Sequence, residues 1–521
     1  MKPLSAGLIL FGYALFGYAQ AAAAEPKKPK LIVAVVVDQF RYDYLLRFRK
    51  DYTSGFKTLL ERGAVFDDAH YIHFPTVTAV GHSTFLSGAT PAISGIVANE
   101  WYERETASRV SSVSDPKTEL VGAGRKAEGS SPRRMLVSTV GDEIKMSGQT
   151  SKVIGISIKD RAAILPAGHM ADGAYWFDNK SKHWVTSTYY AEKLPVWVEK
   201  INAGKPAARA DNAQWAPFDG HGKPFCTTGA PTAAVPACRS FEATPWGNEV
   251  IEEFAEQALL AEKMGKHEGT DLLAVSFSAN DYVGHAMGPD SPEVRDISIR
   301  TDRLLGKLLT FIDTNVGLAN VVFVLTADHG VAPVPEVNEA RHMNGGRLSE
   351  DTLMKTMNDA LVAKYGAGEW LASKLGSAAW LNTRLIDEKK LDRAAVEQTA
   401  ADAARGMPHV FRVYTAGQLA SGRVTEDSIT TAVRNGMYPS RAGDILVIAE
   451  PNYLYDKTGT THGSPFNYDT HVPVIFMAPG IKPGHYYGKI AVNDIAPTLA
   501  AIAGVEQPNG SIGRVLQEIW Q

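Results

Sequence analysis

Three aspartates and a small set of histidines carry the most specific chemistry that this sequence offers. Asp38 closes the apolar run "KLIVAVVVD", Asp281 closes "DLLAVSFSAND", and Asp328 lies at the end of "NVVFVLTADHG". Two of them have histidine partners. Asp281 precedes His285 by four residues, a spacing that puts both side chains on one face of a helix, and Asp328 is followed directly by His329. "GTTHGSPFNYDTHVPVIF" adds His462 and His471. Carboxylates gathered in one place repel and raise one another's pKa unless a cation sits among them. Aspartate oxygen mixed with histidine nitrogen suits zinc and, less specifically, manganese or another divalent ion, and the ligand count allows two ions to share the set. A single strand-end aspartate is usually a helix cap, and a single Asp-x-x-x-His is common; the joint pattern is much more specific.

A second stretch, "HFPTVTAVGHSTFLSGATP", is dense in hydroxyls and precedes a helical run. Ser83 invites a serine-hydrolase reading, but the nucleophile elbow needs a glycine two residues after the serine, and Phe85 stands there. The stretch alone leaves open which hydroxyl, if any, attacks. His70, His73, His82 and His169 are read as structural.

The elements that must position these groups follow from hydrophobic patterning. The three aspartate-ended runs are continuous, β-branched and apolar, the mark of buried parallel strands. "SKVIGISIKDR" and "HVPVIFMAPG" fit weaker strands, and helical patterns such as "DYLLRFRKDYTSGFKTLLERG" and "VRDISIRTDRLLGKLLTFIDTN" lie between. Alternating strands and helices predict an α/β fold with a largely parallel sheet flanked by helices. The carboxyl ends of parallel strands share one rim, so Asp38, Asp281 and Asp328 are expected to converge there. Two blocks, at about 170–245 and 335–440, interrupt the rhythm and are read as insertions on a single catalytic domain spanning 25–521.

The chain has 521 residues, 45% of them hydrophobic, and a formal net charge of −4, so nothing points to a nucleic-acid duplex or an anionic membrane surface. Lys2, an apolar run from Leu8 to Tyr18 and small residues at Ala21–Ala24 form a secretory signal peptide over 1–24, which predicts a periplasmic or secreted protein, free of the membrane after cleavage. In that setting Cys226 and Cys238 are expected to form a disulfide closing a surface loop. Two thiols at this distance lack the paired spacing of a zinc site.

The motifs "VVVDQFRYDYL", "FPTVTAVGHSTFLSGATPAISGIVANEWY", "GISIKDRAAILPAGH", "DYVGHAMGP", "TADHG" and "THGSPFNYDTHVPVIFMAPG" run in order from residue 32 to 480. In this combination the sequence resembles the alkaline phosphatase superfamily, and within it the PafA-type threonine-nucleophile phosphate monoesterases, relatives of the nucleotide pyrophosphatases/phosphodiesterases. The resemblance implies an alkaline-phosphatase-like core with inserted cap segments and an exported alkaline phosphatase that hydrolyses small-molecule phosphate monoesters through a phospho-threonine. It implies Thr78 as nucleophile and two Zn2+, one held by Asp38, Asp328, His329 and Thr78, the other by Asp281, His285 and His462 rather than His471. It also implies Asn99, Lys159 and Arg161 as phosphoryl contacts, the last two marking a monoesterase. A monomer is expected. The alternatives are a diester hydrolase of the nucleotide pyrophosphatase type and a non-catalytic anion-binding relative.

Overall fold

The structure is a computed structural model that describes residues 28–520; the signal segment expected over 1–24 lies outside them. The main sheet has eleven strands: β1 (Leu31–Val37), β2 (Ala64–Phe66), β3 (Ser114–Val121), β4 (Glu128–Ser130), β5 (Val153–Ser157), β6 (Gly173–Asp178), β7 (His183–Ser187), β8 (Asp271–Phe277), β9 (Val321–Thr326), β10 (Val474–Met477) and β11 (Gly484–Tyr486). Their spatial order is β11-β2-β10-β9-β1-β8-β5-β6-β7-β3-β4. The central block, β9-β1-β8-β5-β6, is parallel throughout. Every residue of β1, β8 and β9 is buried, as strands covered on both faces by helices require.

The register sets the site. Val37 pairs with Phe277, and Val36 with Thr326, so β1, β8 and β9 end at the same level. β10 runs antiparallel to β9, which makes the sheet mixed rather than uniformly parallel. The helices that frame the site are α1 (Thr78–Ser87), α2 (Asp160–Ala167), α3 (Ala279–Met287) and α4 (Pro292–Asn315).

Three expectations need correction. The helical pattern over 43–63 breaks into Asp43–Arg47 and Gly55–Arg62. The break is tertiary in origin: the buried Asp302 carboxylate on α4 accepts from the backbone N–H of Thr53 and Ser54, each at 3.0 Å, and of Phe56 at 2.7 Å. The block beginning near 170 is not wholly an insertion, because β6 and β7 lie in the main sheet. The block from about 335 runs past 440 to Ala449, since Ile445–Ala449 is an inner strand of a separate four-stranded antiparallel sheet. That sheet and its helices bury a core of their own around Leu353, Met357, Trp370 and Val396. Cys226 and Cys238 are disulfide-bonded. No helix among the described residues is long and apolar enough to cross a membrane.

Candidate active site

Thr78 is the first residue of α1, a helix whose ten residues are all buried. Val77 before it is extended, so the amides of the first turn face outward from the helix end, where an anion is favoured. Two contacts fix that end. The His82 Nδ1–H donates to the Thr78 carbonyl at 2.9 Å, and His82 Nε2 accepts from Ser276 Oγ of β8 at 2.8 Å. Burial holds His82 neutral, its pKa pulled down to about 4. Gly81 lies against the strand-end backbone: a Cβ there would sit 2.1 Å from the Asp328 carbonyl oxygen. Gly81→Ala is therefore expected to cost about 1–3 kcal/mol of stability by overpacking and, by shifting Thr78, about 10²-fold in turnover. Thermal unfolding and steady-state kinetics on the same preparation check both.

The neighbouring hydroxyls Thr76, Ser83, Thr84 and Ser87 are committed to backbone carbonyls. Ser83 Oγ donates to the Val80 carbonyl at 2.9 Å and Thr76 Oγ1 to the Ser464 carbonyl at 2.8 Å. Thr78 Oγ1 lies 3.5 Å from His329 Nε2 and 3.5 Å from Lys159 Nζ.

The three aspartates converge as the register requires. Asp38 directly follows β1, and Asp328 follows β9 with Ala327 between them. Asp281 differs from expectation: β8 ends at Phe277, and Asp281 stands in the first turn of α3. From there its Oδ1 is 3.2 Å from His285 Nε2, one turn on, and 3.7 Å from His462 Nε2. His329 Nε2 is 3.3 Å from Asp328 Oδ2 and 3.6 Å from Asp38 Oδ1. The rings of His329 and His462 stack with centroids 3.4 Å apart. Two ligand sets have donor atoms within 4.8 Å of one another, Asp38 with Asp328 and His329, and Asp281 with His329 and His462, so His329 reaches both.

Hydrogen bonding fixes the direction of each imidazole. His285, His329 and His462 all donate Nδ1–H to backbone carbonyls, of Thr460 at 2.8 Å, Gly330 at 2.9 Å and Thr76 at 2.8 Å. Each Nε2 is thereby turned toward the carboxylates, the arrangement of histidines that ligate a cation. Asp38 Oδ1 and Asp328 Oδ2 are buried and accept no hydrogen bond from the described residues. Burial lifts Asp328 to about 6, and burial together with the Asp328 charge lifts Asp38 well above the carboxylate range. Burial also lowers His462 to about 3 and His329 well below its usual value, whereas the Asp281 charge overrides burial and raises His285 to about 9. Buried carboxylate oxygens, among them Asp38 Oδ1 and Asp328 Oδ2 with no hydrogen-bond donor, together with inward-turned imidazole Nε2 atoms form a donor set that fits divalent cations.

Lys159 occupies a different place from that expected of a phosphoryl contact alone. It is buried, with Nζ 2.6 Å from Asp38 Oδ2 and 2.5 Å from Asp281 Oδ2. Burial opposes its charge, but the two carboxylates outweigh burial and raise its pKa. Asp281 is held well below the carboxylate range: burial would raise it, and Lys159 and His285 overcome that. Arg161, on α2, is near enough for its charge to act on Lys159 and His82, and its buried Nε has no hydrogen-bond partner among the described residues. Asn99 Oδ1 accepts from the Ala79 N–H at 2.8 Å, beside Thr78.

His471 is elsewhere: its ring stacks between Tyr42 and His70, and Nε2–H donates to the Asp67 carbonyl at 2.9 Å. Sequence reasoning missed Gln39. Its backbone N–H donates to Asp328 Oδ1 at 3.0 Å and its Nε2 to Asp281 Oδ1 at 2.8 Å, locking two aspartates with one residue. Gln39 does so in a left-handed turn (φ 58°), and Gly284 makes room for its Oε1, which a Cβ would approach to 1.8 Å. Only its place beside Asp38 could have signalled this role. His82, read as structural, is a positioning residue for the helix end.

The model of a family described as type I phosphodiesterase / nucleotide pyrophosphatase matches residues 32–471. The chain is 35% identical to alkaline phosphatase PafA of Elizabethkingia meningoseptica, with 96% of each chain covered. It is also 35% identical to a protein of Myroides odoratus named calcium-transporting ATPase, covering 96% of this chain and 97% of that one. The crystal structure of wild-type PafA superposes with a TM-score of 0.89 at 33% identity, covering 95% of this chain and 99% of that chain.

Proposed function

The chain belongs to the type I phosphodiesterase / nucleotide pyrophosphatase family, and we propose that it is an exported alkaline phosphatase that hydrolyses phosphate monoesters through a phospho-threonine at Thr78. The observation that carries this reading is the convergence of three buried aspartates and three backbone-anchored histidines, with His329 Nε2 3.5 Å from the Thr78 hydroxyl at the start of α1. Asp38, Asp328, His329 and Thr78 would hold one divalent cation, and Asp281, His285 and His462 the other; zinc suits this mixture of oxygen and nitrogen. The chemistry such ions supply when bound is Lewis-acid: a lowered pKa for the attacking hydroxyl and neutralised charge on the leaving oxygen.

The chain's own residues do the rest. The Thr78 amide at the start of α1, the Asn99 side-chain Nδ2–H, held in place by the Ala79 N–H on its Oδ1, and the Arg161 guanidinium receive the phosphoryl oxygens. Thr78 Oγ attacks phosphorus, the bond to the ester oxygen breaks, and the alcohol leaves. Water then attacks the phospho-threonine on phosphorus and releases inorganic phosphate. Lys159 sets a positive charge between the Asp38 and Asp281 carboxylates and holds Asp281 ionised. A cavity of about 230 Å3 adjoins His462 and is walled by Phe74, Val77, Leu375, Ile448 and Tyr455, which gives the leaving alcohol an apolar berth. Cleavage of a terminal phosphoryl group is common to the activities that both relatives' names describe. The Cys226–Cys238 disulfide fits the oxidising compartment that the expected signal segment at 1–24 leads to.

The family description favours one competing reading, a diester hydrolase. Assay of the metal-replete protein against an aryl phosphate monoester and the matching diester decides between them; preference for the diester overturns the proposal.

Lys159 and Arg161 are expected to separate under mutation. A monoester dianion carries one more charge than a diester, and a hydrogen bond from Arg161 to it contributes about 1.5–3 kcal/mol. Arg161→Ala should therefore cut monoester turnover by about tenfold to a hundredfold and leave diester turnover nearly untouched. Lys159→Ala should depress both, because it also strips the cation from between Asp38 and Asp281. Equal loss of both activities in Arg161→Ala would place that residue in the fold rather than at the substrate.

A further inference from the structure

A second group of metal-binding side chains stands outside the active site. Asp68, His70 and His471 offer donor atoms that all lie within 4.8 Å of one another. They sit where residues Ala69–His70 pair with Ile490–Ala491 and where His70 bridges to His471. None of them belongs to the set around Thr78.

The wiring of the two rings is that of ligands. His471 gives its Nε2–H to the Asp67 carbonyl at 2.9 Å, which leaves Nδ1 with a free lone pair. His70 has Nδ1 3.2 Å from Thr470 Oγ1 and Nε2 2.8 Å from Asp68 Oδ1. The rings stack with centroids 4.6 Å apart, and Tyr42 packs on the outer face of His471 at 4.4 Å, so both imidazoles are held in place. The neighbouring Asp67 carboxylate is already engaged by Tyr42 and His485, whereas Asp68 remains 45% exposed and free to turn.

We propose that Asp68, His70 and His471 bind a further divalent transition-metal ion, separate from the catalytic centre, that cross-links the two chain segments leading away from it. Two imidazoles and one carboxylate favour zinc, nickel or copper over magnesium or calcium, and water completes the coordination at this open position. On binding, the proton on His70 Nε2 moves to Nδ1, which then donates to Thr470 Oγ1, while Asp68 binds as the carboxylate. The hydrogen-bond acceptor that anchors each ring's other nitrogen, the Asp67 carbonyl for His471 and Thr470 Oγ1 for His70, is thus in place for both histidines. The cross-link joins the segment before the Thr78 loop to the segment after the His462 loop. Tyr71, next to His70, donates to the Ala327 carbonyl at 2.8 Å, and Asp469, two residues before His471, accepts from the Gly330 N–H at 2.7 Å. The ion therefore fastens, from outside, the two strands of chain that flank Asp328 and His329.

The experiment compares wild type with Asp68→Asn, His70→Ala and His471→Ala after dialysis of the metal-replete proteins against micromolar ZnCl2. Zinc per chain and the zinc-dependent rise in Tm are measured, with monoester turnover alongside. Each variant is expected to hold one zinc fewer than wild type, to lose part of the zinc-dependent rise in Tm, and to keep its turnover. The difference is counted against wild type, so it does not depend on how many ions the active site holds; Asp328→Ala should retain the outer ion. Asp68 is exposed, so Asp68→Asn remains informative even where loss of a stacked ring unfolds the histidine variants. Equal zinc content in wild type and Asp68→Asn, with equal Tm shifts, overturns the proposal.

Discussion

Thr78→Ala is expected to lower monoester turnover by on the order of 10⁴- to 10⁶-fold, the scale seen when a nucleophile is removed from a site whose other groups stay in place. Thr78→Ser should keep a measurable part of the activity, because a serine hydroxyl can occupy the same point at the start of α1. The reason for choosing Thr78 over its neighbours is hydrogen bonding. Ser83 Oγ and Thr76 Oγ1 are tied to backbone carbonyls, whereas Thr78 Oγ1 faces His329 Nε2 and Lys159 Nζ. Protein quenched at low pH during turnover of a labelled monoester should carry label on the peptide containing Thr78. Label on Ser83 or Thr76 would overturn the assignment.

Removal of divalent ions is expected to abolish turnover, and so is Asp328→Ala. The donor set predicts close to two ions per active site, with any outer ion at Asp68 counted separately. The pH dependence follows from the same carboxylates. Burial holds Asp328 at about 6, with Asp38 also raised, so protons compete with cations for these oxygens as pH falls through that value. Ion content and activity should therefore decline together below about pH 6 and recover on raising the pH in the presence of zinc. In the metal-free protein the sign reverses for Asp328: its folded state binds more protons than the unfolded chain between the ordinary 3.8 and about 6, so its contribution makes the apoprotein less stable as pH rises through that window. The two late histidines sharpen the test. His462→Ala should cost far more activity than His471→Ala, since His462 Nε2 faces Asp281 and His471 packs against Tyr42 and His70. Full activity after exhaustive chelation, or a larger loss at His471, would sink the assignment.

Much of the fold was legible because burial on both faces of a parallel strand is written locally. Seven consecutive apolar residues in β1, followed at once by Asp38, specify both a strand and the group at its end. β9, apolar up to Thr326, is followed after Ala327 by Asp328 in the same way, and the four-residue spacing of Asp281 and His285 already put them on one helical face. Where the sequence misled, the cause lay at a distance. The 43–63 pattern is helical by periodicity, and a carboxylate from α4 interrupts it. Gly173–Asp178 sits in a Trp- and Gly-rich stretch, yet it is a main-sheet strand because β5 offers it a parallel edge.

The sequence by itself determined the three central strands, the acidic ends of β1 and β9 and the histidines that travel with the aspartates, because hydrophobic period and residue spacing are local properties; that Asp281 opens α3 instead of ending β8 came from the structure. Only the tertiary structure decided which nitrogen each histidine turns inward, that Lys159 lies between Asp38 and Asp281, that Gln39 spans Asp328 and Asp281, and that His471 stacks on His70 instead of joining His462. Those outcomes depend on hydrogen-bond partners and ion pairs formed between residues distant in the chain, such as His462 with Thr76 or Lys159 with Asp38. Such pairings exist only once the sheet register has brought the strand ends to one level, and no pattern along the chain encodes them.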